Sequence, residues 1–131
     1  MRKTLLLLAA VTLVAGCESA PIKAIQQEFM NLFHPNPGGP DLAAGIRSYE
    51  NGNYNESARQ LHAALDAGLN RSNQIQAHKY LAFIHCVSSR MALCRDEFRM
   101  AIVIDPEFSL EPAEAGHPIW GPVFVSVKAR P

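Results

Sequence analysis

The sequence lacks an excess of charge of either sign, and it lacks the short patterns that mark common catalytic sites. Its 12 basic and 12 acidic side chains balance over 131 residues, whereas nucleic-acid-binding domains usually have a basic face. The serine-hydrolase pattern Gly-x-Ser-x-Gly and the redox pattern Cys-x-x-Cys are both absent. We therefore expect no enzyme, no cofactor, no nucleic-acid partner and no small-molecule substrate.

Long apolar runs are also scarce, and the one that stands out lies near the N-terminus. It extends from Leu5 to Val14, which is too short to cross a bilayer of about 30 Å as a helix. Arg2 and Lys3 precede it, and this order of charge and apolar residues is typical of a secretory signal. The run ends in "VAGC", which resembles the lipobox of bacterial lipoproteins.

The lipobox resemblance implies a destination for the chain. It implies that residues 1–16 are a signal peptide that is removed, and that Cys17, the new first residue, is lipidated. Glu18 stands where an Asp would favour retention at the inner membrane. The expected location is therefore the outer membrane, with a lipid anchor on the periplasmic side. The alternative is an ordinary signal peptide with an incidental cysteine.

Cysteine is scarce, with three in the chain, and lipidation of Cys17 would leave only Cys86 and Cys94. The periplasm is oxidising, so an even remainder predicts one disulfide. A zinc site that uses His78 and His85 is disfavoured, because residues seven apart are separated by about 10.5 Å along a helix. We therefore expect no metal site.

Helical periodicity runs through most of the chain, and no segment is convincing as a strand. Residues 17–40 are predicted to form a lipid-anchored tether, which contains an amphipathic helix over 22–33 and a Pro/Gly linker. That helix either packs on the domain or a neighbour, or lies on the membrane. Residues 41–131 are predicted to form one all-α domain.

Four helices and a C-terminal cap are predicted within that domain. The first begins with Asp41 as its N-cap and ends at Asn51-Gly52, and the second closes at Gly68. The third covers residues 73–89 and is apolar nearly all round, and the fourth covers 92–106. A last helix, with Trp120 as its main buried contact, is expected to lie over the second hairpin.

The chain repeats itself when it is shifted by 37 residues, since Leu61 then falls on Phe98 and Ala64 on Ala101. The second unit resembles a tetratricopeptide repeat. The resemblance depends on small and large residues at the spacings of that family: Leu81, Ala82, Cys94, Phe98, Ala101 and Pro106. It implies two antiparallel helical hairpins with N- and C-terminal capping helices.

In tetratricopeptide proteins the first helix of each repeat lines a concave groove that binds a protein partner. Carried over residue by residue, the resemblance implies a groove lined by Leu42, Ile46, Tyr49, Glu50, Gln76, Lys79, Phe83 and Val87. Lys79 and Phe83 would hold a carboxylate and an apolar side chain of a bound peptide. The alternative is that these residues only pack on the capping helices.

Residues 78–124, and above all the stretch "EAGHPIWGPVF", resemble the small tetratricopeptide lipoproteins (the TssQ-like group) that accompany type VI secretion gene clusters. This resemblance implies an accessory scaffold in the periplasmic cell envelope, tethered through its lipid. The alternatives are adaptors for pilus assembly or outer-membrane biogenesis, and regulators of a cell-wall enzyme.

Overall fold

The computed structural model describes residues 35–130, and this part of the chain is helical with no strand, as predicted. Cys17 and the predicted helix over 22–33 lie outside the described residues. None of the described helices is both long and apolar enough to cross a membrane. The helices are α1 (Gly39–Glu50), α2 (Tyr54–Ala67), α3 (Arg71–Val87), α4 (Met91–Ile104), α5 (Pro112–Ala115) and α6 (Trp120–Lys128).

The first hairpin consists of α1 and α2, which approach each other closely at two glycines. A Cβ atom on Gly38 would lie 2.0 Å from the Ala64 carbonyl oxygen, and one on Gly45 would lie 2.8 Å from the Leu61 side chain. The buried Ser57 hydroxyl donates to the Gly45 carbonyl oxygen at 2.7 Å. Small residues at these positions therefore allow the two helices to pack along their length.

Helix α1 begins earlier than predicted. Gly38, not Asp41, is its N-cap, and Pro40 lies in its first turn. Proline suits the first helical turn because its φ is already helical and it has no N–H to satisfy. Asp41 instead places its negative charge near the positive end of the helix dipole.

The second hairpin consists of α3 and α4, and α3 is the central helix of the described structure. The Asn70 side chain caps α3 by accepting from the Asn73 N–H at 2.9 Å. Helix α3 packs against α1, α2, α4 and α6. The inward face of α4 is the predicted one, because all four of its predicted residues are buried: Cys94, Phe98, Ala101 and Ile102.

The C-terminal segment covers the side of α3 that the two hairpins leave open. The Trp120 indole stacks on Phe83 with ring centroids 4.3 Å apart, and Phe124 packs edge-on against Phe98 at 5.2 Å. Lys128, at the end of α6, donates to the Phe108 carbonyl oxygen at 2.6 Å. The predicted position of the last helix, over the second hairpin, is therefore confirmed.

Trp120 should contribute more to stability than any exposed residue of the same helix. It is 8% exposed, whereas Val125 is 66% exposed. Truncation of a buried Trp to Ala typically costs about 3–5 kcal/mol, so Trp120→Ala should lower the free energy of unfolding by that order in urea, followed by circular dichroism. Val125→Ala, the matched control, should change it by less than about 0.5 kcal/mol. Equal effects of the two variants would mean that α6 is not docked.

Candidate functional site

The two cysteines of the second hairpin are paired, as predicted. The Cys86 and Cys94 sulfurs are 1.98 Å apart, and their Cα atoms are 5.1 Å apart, a separation that a disulfide requires. Both residues are at most 1% exposed. A loop of this length contributes about 2–3 kcal/mol in the chain-entropy model. The disulfide therefore holds the two helices of the second hairpin together, and neither buried sulfur is accessible for thiol chemistry.

The histidines of α3 are used in pairwise contacts. His78 Nδ1 lies 2.7 Å from a Glu97 carboxylate oxygen, and the Arg90 Nε–H donates to His85 Nδ1 at 2.9 Å. Residues 35–130 contain no group of three His, Cys, Asp or Glu side chains that could hold a metal ion.

The predicted groove residues do not form one exposed surface. Leu42 is 4% exposed and Phe83 is 2% exposed, so neither is available to a partner. Leu42 is buried because it joins the core of the first hairpin, and Phe83 because Trp120 lies over it. The other predicted residues remain at least partly exposed in the structure: Ile46, Tyr49, Glu50, Gln76, Lys79 and Val87.

Lys79 is engaged by the chain itself. Its ammonium donates to Glu114 Oε1 at 2.7 Å, and the two side chains are 14% and 21% exposed. The other Glu114 oxygen accepts from the Glu111 N–H at 3.0 Å, and the Glu114 carbonyl oxygen accepts from the Trp120 indole N–H at 2.8 Å. The carboxylate and the apolar side chain expected from a bound peptide are thus supplied by Glu114 and Trp120.

A cleft remains open between α3 and the segment that contains α5. This part of the surface holds about 270 Å³, which suits side chains of a peptide more than a large ligand. The exposed Gln76 contributes to this part, together with Lys79 and Glu114. We refer to this surface, with Glu50 and Tyr80 beside it, as the α1–α5 groove.

The α1 side of the α1–α5 groove is aromatic. Tyr49 lies at the centre, with ring centroids 5.0 Å from Tyr80 and 5.5 Å from Tyr54. Tyr54 is 37% exposed, and the other two are partly exposed. The tyrosines therefore offer flat apolar faces and hydroxyl groups at the edge of the groove.

Burial and nearby carboxylates raise the pKa values of Tyr49 and Tyr80. Burial raises the pKa of Tyr80, and the charges of Glu114 and Glu50 raise it further. Burial also raises the pKa of Tyr49 to about 12, with neighbouring Tyr54, Tyr80 and Glu114 adding to the effect. Glu50 forms no ion pair with any residue of the range 35–130. Glu114 is paired with Lys79, so Glu50 is the unpaired carboxylate beside these tyrosines.

Sequence reasoning missed Tyr80, Tyr54 and Glu114. Tyr80 was hidden because α3 is apolar on nearly all sides, so periodicity does not separate its groove face from its core faces. Glu114 did leave a signal, since the stretch "EPAE" places Pro at a first helical position and Glu three residues after the N-cap.

Comparison of the chain with protein-family models, with curated proteins and with solved structures finds no match.

His85 should make the stability of the domain depend on pH. Its pKa is lowered from 6.5, first by burial and then by the Arg90 charge. The unfolded chain therefore binds a proton at a pH where the folded chain does not, and stability falls as the pH drops below about 6.5. Asn keeps an acceptor in place of Nδ1 and does not titrate.

Wild-type protein should accordingly lose more of its free energy of unfolding between pH 7.5 and pH 5.5 than His85→Asn does, in urea unfolding at matched ionic strength. Parallel pH profiles of the two proteins would contradict the role of His85.

Proposed function

We propose that the chain is a lipid-anchored scaffold protein of the outer membrane, on its periplasmic side, that binds a protein partner through two tetratricopeptide hairpins. Its role is binding and not catalysis, and it is an accessory to type VI secretion. The single observation that supports binding best is the α1–α5 groove, because it combines partly exposed tyrosines with the unpaired Glu50.

Two independent features support the proposed location in the periplasmic cell envelope. The "VAGC" junction at Cys17 resembles a lipidation site. The pairing of Cys86 with Cys94 fits a compartment in which disulfides persist, since cytosolic thiols are kept reduced. The sequence feature and the buried bond are far apart in the chain, and each favours the cell envelope.

The chemistry of the α1–α5 groove favours a partner segment that contains Lys or Arg. Glu50 lies on the α1 side and Glu114 on the α5 side, and the charges of both raise the pKa of Tyr80. Lys79 shows how an ammonium fits there, since it contacts Glu114 and lies 5.1 Å from the centre of the Tyr80 ring. Cations over aromatic faces gain further attraction. A second cation, from the partner, would pair with Glu50.

Site-specific photo-crosslinking in the native host tests this proposal. A benzophenone side chain at Gln76, in the groove, should capture a distinct envelope protein, whereas one at the exposed Ala63 on α2 should not. Glu50→Lys should reduce this capture at least about tenfold, which corresponds to about 1.4 kcal/mol. Glu107→Lys, at another exposed acidic position outside the groove, should leave capture unchanged.

Three results decide the outcome: whether capture depends on the position of the benzophenone, whether it depends on the charge at position 50, and which protein is captured. A component of the type VI apparatus supports the accessory role, and a pilus protein or a cell-wall hydrolase assigns one of the alternatives. Capture that is equal from Ala63, or that survives Glu50→Lys, contradicts a role for the groove.

In the same cells, Cys17→Ser should release the protein from the outer-membrane fraction, and its retention at high salt would contradict the anchor.

A further inference from the structure

The face of α3 that borders the α1–α5 groove is open over its first half. Its residues lie four, three and four positions apart, a spacing that places them on one side of the helix. They are Ser72, Gln76, Lys79 and Phe83. Trp120 covers Phe83, and Glu114 pairs with Lys79. Gln76 and Ser72 are exposed, so a partner can reach this face between Gln76 and the start of α3.

Two adjoining cavities lie along this open half. The cavity of about 270 Å³ separates α3 from the segment that begins at Phe108. A second cavity, of about 430 Å³, lies beside Arg71 and Asp105. Ser72 and Ile75 line both cavities, so the two adjoin along α3. We refer to them together as the α3 cleft.

The α3 cleft has an apolar residue on each wall. Ile75 lies on α3 and Phe108 on the connection that follows α4, and both are partly exposed. Phe108 is held by edge-on packing against Phe124, with ring centroids 5.5 Å apart. Ser72 and Ser109 are exposed beside them. An apolar side chain between Ile75 and Phe108 would be removed from water, while the two hydroxyl groups can bond to the backbone on either side of it.

The α3 cleft lies one short step along α3 from the unpaired Glu50. Glu50 is close enough to Tyr80 for its charge to contribute, after burial and Glu114, to the raised pKa of that phenol. Tyr80 follows Ile75 by five residues, a rise of about 7.5 Å along a helix. Side chains two residues apart in an extended peptide lie on the same side, about 6.6 Å from each other. The two distances match.

We propose that the α3 cleft binds an apolar side chain of the partner, two residues along the partner chain from the Lys or Arg that pairs with Glu50. The position of the cation rests on the proposed function, whereas the apolar contact rests on the cleft between Ile75 and Phe108. The bound segment is extended, and its alternate side chains face the groove. The α3 cleft therefore adds an apolar requirement to the charge requirement of Glu50.

A chemical-shift titration of the unlipidated chain from residue 17, with Cys17→Ser, tests the proposal. The probes are acetyl-Gly-Lys-Ser-Leu-Gly-amide and the same peptide with the core Leu-Ser-Lys, because the cleft does not fix the direction of the partner chain. The tighter of the two should shift the Gln76 and Ser109 amides saturably. Replacement of its Leu by Ser should raise the dissociation constant at least about fivefold, because that peptide has no apolar side chain to bury.

Ser72→Phe should weaken binding of the Leu peptide by a similar factor, because Ser72 lines both cavities and a phenyl ring there would occupy the cleft. The matched control is Ser126→Phe on the exposed side of α6, which should change the dissociation constant by less than about twofold. Both positions are exposed, so neither change disturbs the core.

Equal dissociation constants for the Leu and Ser peptides, or for the wild type and Ser72→Phe, would overturn the proposal. So would the absence of a saturable shift up to about 10 mM peptide, a range that includes binding with a dissociation constant of about 1 mM. A peptide with Asp in place of Lys separates this result from the proposed function. If it binds as tightly as the Lys peptide and still requires Leu, the cleft assignment holds and the preference for a basic partner is wrong. If binding requires Lys but not Leu, the basic preference holds and the cleft assignment is wrong.

Discussion

The stacking of the Trp120 indole on Phe83 is the contact on which the rest of the structure depends. Helix α3 is buried on all sides from Leu81 to Cys86, and α1, α2 and α4 supply only part of that cover. Without the C-terminal segment, Phe83 and the disulfide at Cys86 would be exposed to water, at a cost of about 25 cal/mol for each Å² of apolar area. Glu114 fixes this segment, because it bonds to Lys79 through its side chain and to Trp120 through its backbone.

The same contact determines which surface a partner can reach. Trp120 and Glu114 occupy the part of the groove that family resemblance assigns to a bound peptide, so Phe83 and Lys79 are not available. What remains is the α1–α5 groove, where the aromatic rings of Tyr49 and Tyr80 lie beside carboxylates. Because Lys79 is paired with Glu114, the proposed binding role favours a basic partner segment over an acidic one.

Most of the fold could be predicted from the sequence, because it depends on local signals. The Gly68 stop, the inward face of α4 around Phe98 and the Cys86–Cys94 pairing all follow from spacing within about one helical hairpin. Helix α1 starts before the Asp41 signal, because Pro40 already fits the first helical turn and Gly38 serves as the N-cap.

The candidate site was less predictable, because it depends on contacts between distant residues. Lys79 and Glu114 are 35 residues apart, and nothing in the local pattern of either predicts the ion pair. Transfer of groove positions from a repeat family also assumes that the groove is empty. Here the chain returns across α3 after α4, so residues that are exposed in a longer array are buried in this chain.

Native-state hydrogen exchange, resolved by residue, shows whether α6 stays docked until the whole domain unfolds or opens separately. The packing of Trp120 and Phe124 into the core of the second hairpin predicts that the slowest amides of α6 exchange only through global unfolding, with the same opening free energy as those of α3. Exchange of α6 through a separate opening of much lower free energy, while α3 and α4 stay protected, would contradict this. The α3 positions that Trp120 and Glu114 cover, Phe83 and Lys79, would then become accessible to a partner.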